Sequence, residues 1–353
     1  MVNSLIGRDE PAAKTKQQPM KTKTKKTVYQ IITDRIIKAL KDAIAKGESA
    51  PWHKPWATNG AYPINYNTQK NYRGVNVFLL HMMGYESPTW LTFKQAKEAA
   101  VKEARADGRE IVETTKPTKW GTKSTFTEDG EPFAGGVKKD EKGTPVVFWN
   151  WIMKDANGKT TKDKAQCVKK IPFLKYFTVF NIEQCDGVAD KWIKPEDKDH
   201  KPIKAAADIV SDMPNAPRIT HNEARAYYKP ASDTVNMPRL GVFDSAAEYH
   251  STLFHELVHS TGHTSRLNRD GVTGTVQFGS QNYSKEELVA EMGAAMLCGV
   301  AGIDNQALND NSDAYLRGWI SKLNDNPEMA ITAGAQAQKA ADYIRDIKFE
   351  DKD

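Results

Sequence analysis

From Val28 to Ala43 the apolar positions Val28, Ile31, Ile32, Ile36, Ala39, Leu40 and Ala43 recur every three or four residues. That spacing predicts an amphipathic helix stopped at Gly47. The prolines and asparagines that follow break the period and predict extended chain and turns up to Tyr72. A short helix is expected in "YRGVNVFLLHMM", and another in "TWLTFKQAKEAAVKEA" with Thr92 near its start. Residues 105–142 are polar and rich in Gly and Thr, and read as an insertion or mobile loop. The β-branched and aromatic runs "TPVVFWNWIM" and "FLKYFTVFNIEQC" predict strands, the second placing Phe173, Lys175, Phe177 and Val179 on one side. The aperiodic, charged stretch 186–202 is expected to be a linker. Beyond it, "KAAADIVSDM" predicts a helix, and "RAYYKPASDTVNM" predicts a strand, turn and strand. "SAAEYHSTLFHELVHSTG" predicts a helix ending at Gly262. "SKEELVAEMGAAMLCGVAG" predicts one capped by Ser284, with Glu287 at capping-box spacing. Two further helices close the chain.

The expected fold class is α+β in two domains. A small mixed domain would cover 27–185 and a mainly helical domain with a small sheet 203–353.

Charge sharpens this division. Residues 1–200 hold 35 Lys and Arg against 24 Asp and Glu, whereas 201–353 hold 15 against 21. The front half is therefore basic and the back half acidic, which points to a polyanionic partner for the front alone. The lysine-rich residues 1–26 lack an apolar period and are expected to be a disordered basic arm. Nothing approaches the ~18 consecutive apolar residues of a membrane helix. The N-terminus has no apolar signal core. The three cysteines fit neither a disulfide framework nor a zinc ribbon. A cytoplasmic protein is expected.

The helix carrying "FHELVHSTGH" holds the clearest chemistry. His255 and His259 are four apart and share a helical face, so both imidazoles can meet one Zn2+ ion. Glu256 between them suits a general base that takes a proton from attacking water and returns it to a leaving amine. The third ligand lies elsewhere. Ser265 stands where a metzincin has its last His, and His263 falls outside that spacing, so His263 is expected in the loop behind the ligands. Sites of the gluzincin kind take a Glu from a following helix and pair it with a second acid one turn later. By that likeness Glu287 is the ligand and Glu291 orients a ligand His, with the reverse assignment open. Glu286 is expected to face solvent. Arg266 and Arg269 are expected to lock the loop after the helix by ion pairs.

The front half mixes basic and aromatic residues as single-stranded nucleic acid requires, with phosphates on cations and bases on ring faces. The candidates are Trp52, Lys54, Trp56, Tyr66, Tyr72, Arg73, Asn76, Trp90, Lys94 and Gln95. Each aromatic has the competing role of core residue in a small domain.

Five front-half blocks, "VYQIITDRIIKAL…PWHKPW", "NYRGVNVFLL", "PTWLTFKQA", "KGTPVVFW" and "YFTVFNIEQ", resemble in order the N-terminal domain of ArdC-type antirestriction proteins. "YYKPASDTVNMP", "FHELVHSTGHTSRLNR" and "YSKEELVAEMGAAMLC" resemble that family's zincin-like metallopeptidase domain. The resemblance implies a single-stranded-DNA-binding domain ahead of a metal-binding, protease-like domain. It also implies carriage on a plasmid or phage and protection of incoming DNA from a host restriction system, with a protein of that system as the candidate target. A rival reading makes the metal structural and the protein a DNA-coating or occluding factor. A primase-associated accessory is a third reading, but the chain lacks the acidic cluster of two-magnesium chemistry.

Overall fold

The apolar stripe over 28–43 becomes helix α1 (Val28–Lys46), with Ile32, Ile36, Ile37 and Leu40 buried. The computed structural model describes residues 26–46, 61–118, 121–192, 202–273, 281–304 and 313–348. Apart from Lys26, the expected basic arm lies outside these residues, as do Trp52, Lys54 and Trp56.

The front half is built on a five-stranded sheet in the order β1 (Ile64–Asn65), β2 (Thr89–Thr92), β9 (Lys169–Asn181), β7 (Thr144–Lys154), β8 (Thr160–Thr161). Helix α2 (Val75–His81) lies against β7. Helix α3 (Phe93–Ala106) follows β2 directly, and Thr92 and Gln95 form a reciprocal capping box at its start. The Thr-rich segment expected as a loop is instead a hairpin of β3 (Ile111–Thr118) and β4 (Gly121–Glu128), extended by β5 (Glu131–Pro132). Its β-branched residues favour strand, and its polarity on both faces hides the period-two signal. Short strands β6 (Gly136–Val137) and β10 (Cys185–Asp186) pair behind α3. The first part of the expected linker is tied to this half, because Asp190 accepts hydrogen bonds from Ser87 and Thr89.

The back half begins with α4 (Pro202–Ser211) and a three-stranded sheet ordered β11 (Arg218–Thr220), β13 (Thr234–Asn236), β12 (Tyr227–Lys229). Strand β11 was not expected. Helix α5 (Ala246–Ser260) carries the His-Glu-x-x-His run. A short α6 (Asp270–Thr273) leads to α7 (Gln281–Ala301), then α8 (Asp313–Asp325) and α9 (Met329–Ile344). Ser284 is buried inside α7 rather than capping it.

The two halves share a core. Ile32 and Leu40 of α1 and Phe78 of α2 cluster with Leu257, Leu288, Leu316 and Ile331 of the back half. Helix α1, expected to serve the front domain, packs against α8 and α9. Its Thr33 hydroxyl donates to the Pro327 carbonyl at 2.6 Å, and Arg73 pairs with Asp342 across the seam. The whole is an α+β fold in two parts, fused along α1, α2 and α9.

Candidate metal centre

Helices α5 and α7 pack side by side, and Gly293 sets how closely. A Cβ there would come within 2.7 Å of Val258 Cγ2, so only a glycine lets α7 lie this near α5. Ser245 caps α5, accepting from the Glu248 amide at 3.1 Å. The helix ends at Ser260 with Thr261 as its cap, one residue before Gly262. Gly262 has ordinary negative φ and is no left-handed stop. It matters because a Cβ at that position would strike Val272 at 2.4 Å.

This packing gathers one donor set. The ligating atoms of His255, His259 and Glu287 all lie within 4.8 Å of one another. The two imidazoles face each other Nε2 to Nε2 at 3.2 Å. Glu287 reaches His255 and His259 with its two oxygens at 3.7 Å each. Four ligands arranged tetrahedrally 2.0–2.1 Å from an ion stand about 3.3 Å apart. The three groups therefore fit one small divalent cation with little adjustment, and a fourth position is left for water or substrate.

The electrostatics favour a cation there. Burial alone would depress His255, but Glu287, Glu291 and Glu256 outweigh it and lift the imidazole to about 9. Burial would likewise raise Glu287, yet the two histidines and a hydrogen bond from Tyr283 hold it below the usual carboxylate range.

Glu286, expected in solvent, is buried and fixes the second imidazole. Its Oε1 is 3.3 Å from His259 Nδ1. Arg269, equally buried, binds the same carboxylate at 2.5 and 3.0 Å and donates to the Val258 carbonyl and the Thr261 hydroxyl. Burial pushes Glu286 up, but His259 and Arg269 bring it below its ordinary value. A proton on His259 Nδ1 directed at Glu286 leaves the Nε2 lone pair turned toward His255. Glu291 acts on His255 through its charge and lies outside the donor set. The orienting role expected of it for a ligand His is thus filled at His259 by Glu286. Glu256 is buried, close enough for its charge to act on His255 and Tyr283.

His263 bonds Ser265 within the loop at 2.8 Å. Arg266 grips Asp233 with two bonds of 2.7 and 2.8 Å, and Tyr228 donates to the same carboxylate at 2.9 Å. Those contacts pin the β12–β13 turn to the loop after α5. Tyr283, one turn before Glu287, was not singled out in the sequence. The i, i+4 spacing to Glu287 was its only signal.

The nucleic-acid candidates are placed differently from expectation. Tyr66, Tyr72, Trp90 and Asn76 are buried at 5, 5, 2 and 5% exposure, so they fill the front core and present no face to a base. Asn76 instead exchanges two 2.7 Å hydrogen bonds with the backbone of Val147, joining α2 to β7. Arg73 is engaged by Asp342, and Gln95 by the α3 cap. Lys94 is exposed and pairs with Glu98.

A His-Glu-x-x-His helix met by a carboxylate from the next long helix defines a zincin-like metallopeptidase domain. Residues 189–336 match the family model for a zincin-like metallopeptidase, and residues 26–180 match that for the N-terminal domain of anti-restriction factor ArdC. The crystal structure of antirestriction ArdC protein from the R388 plasmid, metal-free, is 33% identical. The match covers 91% of this chain and 97% of that one, with a TM-score of 0.62. Its Mn(II)-bound form is 31% identical over 91% and 98%, with a TM-score of 0.61. The chain belongs to the ArdC antirestriction family. An uncharacterized protein, y4eC of Sinorhizobium fredii, is 28% identical over 90% of this chain and 91% of its own length. A DNA primase TraC of Escherichia coli is 32% identical over 93% of this chain, which spans only 28% of that primase.

Proposed function

We propose that the chain is a single-stranded-DNA-binding antirestriction protein of a plasmid or phage, acting in the cytoplasm, with a zinc-dependent peptidase site in its back half. The observation that carries the metal reading is two imidazole nitrogens and a carboxylate converging within 4.8 Å of one another. The Mn(II)-bound ArdC relative supports a divalent ion at such a site. The basic front half and its match to the ArdC N-terminal domain support the DNA reading. Among the described residues no helix is long and apolar enough to cross a membrane.

His255, His259 and Glu287 would hold one Zn2+, which when bound polarises a substrate carbonyl and acidifies water. Glu256 takes the proton of the attacking water on its carboxylate and delivers it to the leaving amine nitrogen. Glu286 keeps the His259 Nδ1 proton in place, and Arg269 keeps Glu286 ionised and aimed. Tyr283 steadies Glu287 from one turn away. The substrate on this reading is a host protein, with the restriction system as the natural target class.

A Glu256→Gln variant tests the hydrolytic part. It should bind zinc as the parent does and lose protection of incoming unmodified DNA in a transformation assay. Full protection by a zinc-loaded Glu256→Gln protein would make the metal structural and assign antirestriction to DNA binding alone.

A further inference from the structure

The β7–β9 ribbon is a surface that the metal site does not explain. Strand β9 pairs with β2 only at Val179–Asn181, while its pairing with β7 runs from Val179 out to Lys169. Over most of its length the ribbon has two strands, joined by β8 only at Met153–Lys154. A two-stranded ribbon with large apolar groups in water needs a reason.

Cross-strand register sorts its side chains onto two faces. Val147, Trp149, Trp151 and Met153 share one face with Tyr176, Leu174, Pro172 and Lys170 opposite them. This face starts in the core, with Val147 7% exposed, and emerges outward at Trp149 and Trp151, 50 and 54% exposed. Tyr176 is open beside them. On the other face Phe148 packs edge-on to Phe177 and against Tyr72, and Lys175 covers Phe173. Those aromatics have partners within the ribbon and its base. On the tryptophan face Trp149 meets Tyr29 of α1 edge-on at 6.5 Å and is still half exposed, and Trp151 and Tyr176 stand open. Among the described residues this is therefore the face that offers rings to a ligand.

Charge names the ligand class. From Thr144 to Asn181 the chain has seven lysines, two aspartates and neither arginine nor glutamate. Lys169 and Lys170 are exposed where β9 begins. Trp149 and Trp151 are two residues apart on a strand, about 6.8 Å. That is twice the 3.4 Å that one stacked nucleotide occupies, so the two rings meet successive bases once the strand is unstacked to twice that spacing. At the ribbon's base, Phe148 and Trp149 line a cleft of about 840 Å³ between the halves, where Lys70 and Lys339 also lie.

We propose that single-stranded DNA lies along the tryptophan face of this ribbon, its bases stacked on Trp149, Trp151 and Tyr176 and its phosphates held by Lys170 and the lysines near the tip. The proposal rests on the reading of the chain as a DNA-binding protein and replaces the buried aromatics expected from sequence with exposed ones. An apolar face awaiting a protein partner would not need the surrounding excess of lysine.

Anisotropy of a fluorescein-labelled oligothymidylate, with the full-length protein, is the test. Wild type should bind, with affinity falling steeply as salt rises. The Trp149→Ala/Trp151→Ala protein should bind at least about tenfold more weakly when assayed well below its melting temperature. Lys170→Glu, a surface change, should bind more weakly and reduce the salt slope by about one. If both variants bind as wild type does, the ribbon assignment falls and the DNA reading stands. If wild type itself does not bind, the DNA reading falls and takes the ribbon with it. If the double variant is unstable, Lys170→Glu decides, and unaltered binding and slope overturn the proposal.

Discussion

Replacing Glu286 by Gln probes a carboxylate on which the proposed metal centre depends outside its proposed ligands. The substitution keeps the shape of the side chain and removes its charge. In the parent, one carboxylate accepts from Arg269 Nε at 3.0 Å and Nη2 at 2.5 Å and faces His259 Nδ1 at 3.3 Å. A glutamine has a single acceptor oxygen and cannot serve all three donors. It also leaves the Arg269 guanidinium, 6% exposed, without its counter-charge. Removing one partner of a buried pair costs about 3–5 kcal/mol. The retained amide oxygen should hold the loss toward the lower end. The metal effect is separate. Losing the group that orients a ligand His weakens binding by about 10–100-fold, or ~1.4–2.7 kcal/mol. The assay is zinc competition against a chelating indicator, run well below the melting temperature of both proteins. Melts with and without zinc separate the two effects. Zinc affinity within twofold of wild type for Glu286→Gln, together with a large loss for Glu291→Gln, would refute this geometry and return the orienting role to Glu291.

Asn76→Ala should destabilise the protein without touching zinc affinity. It leaves the amide and carbonyl of Val147 unsatisfied in a buried place, at about 1–3 kcal/mol for each group, read as a fall in urea midpoint. His81 gives a pH dependence of known sign. Burial of its ring lowers it to about 3 from an ordinary 6.5, so the unfolded chain takes up the proton first. Stability is therefore lost as pH falls below about 6.5 and levels off only near 3, by at most about 2 kcal/mol at pH 5. A His81→Gln protein should show a flatter loss of melting temperature between pH 7 and 5. An identical slope in the two proteins would remove His81 as the cause.

Local patterns carried over well from sequence to structure, and non-local ones did not. Helices α1 and α5 were legible because an apolar stripe lies within each segment. The His255 and His259 pair is equally local, since four residues of helix fix it. Glu286 was misplaced because α7 is buried on nearly every side, with Leu288, Val289, Ala290 and Met292 all in the core. A helix without a solvent face gives its charges no signal of direction. The partner that explains Glu286 is Arg269, seventeen residues earlier and on a loop. Trp90 and Trp151 show the same limit. Both are tryptophans in strands of one basic domain, yet one is 2% and the other 54% exposed. Burial of Trp90 depends on β9 pairing beside β2 and on Tyr85 stacking edge-on against it. Exposure of Trp151 follows from β9 diverging from that edge.

The most direct test of the account is zinc titration of metal-stripped protein by calorimetry, comparing wild type with Glu287→Gln. Wild type should bind one ion per chain. Glu287→Gln should lose more affinity than the ~10–100-fold expected for the orienting Glu286, while its melting temperature without metal stays close to that of wild type. Undiminished one-to-one binding by Glu287→Gln would contradict the assignment of His255, His259 and Glu287 as the metal-holding set.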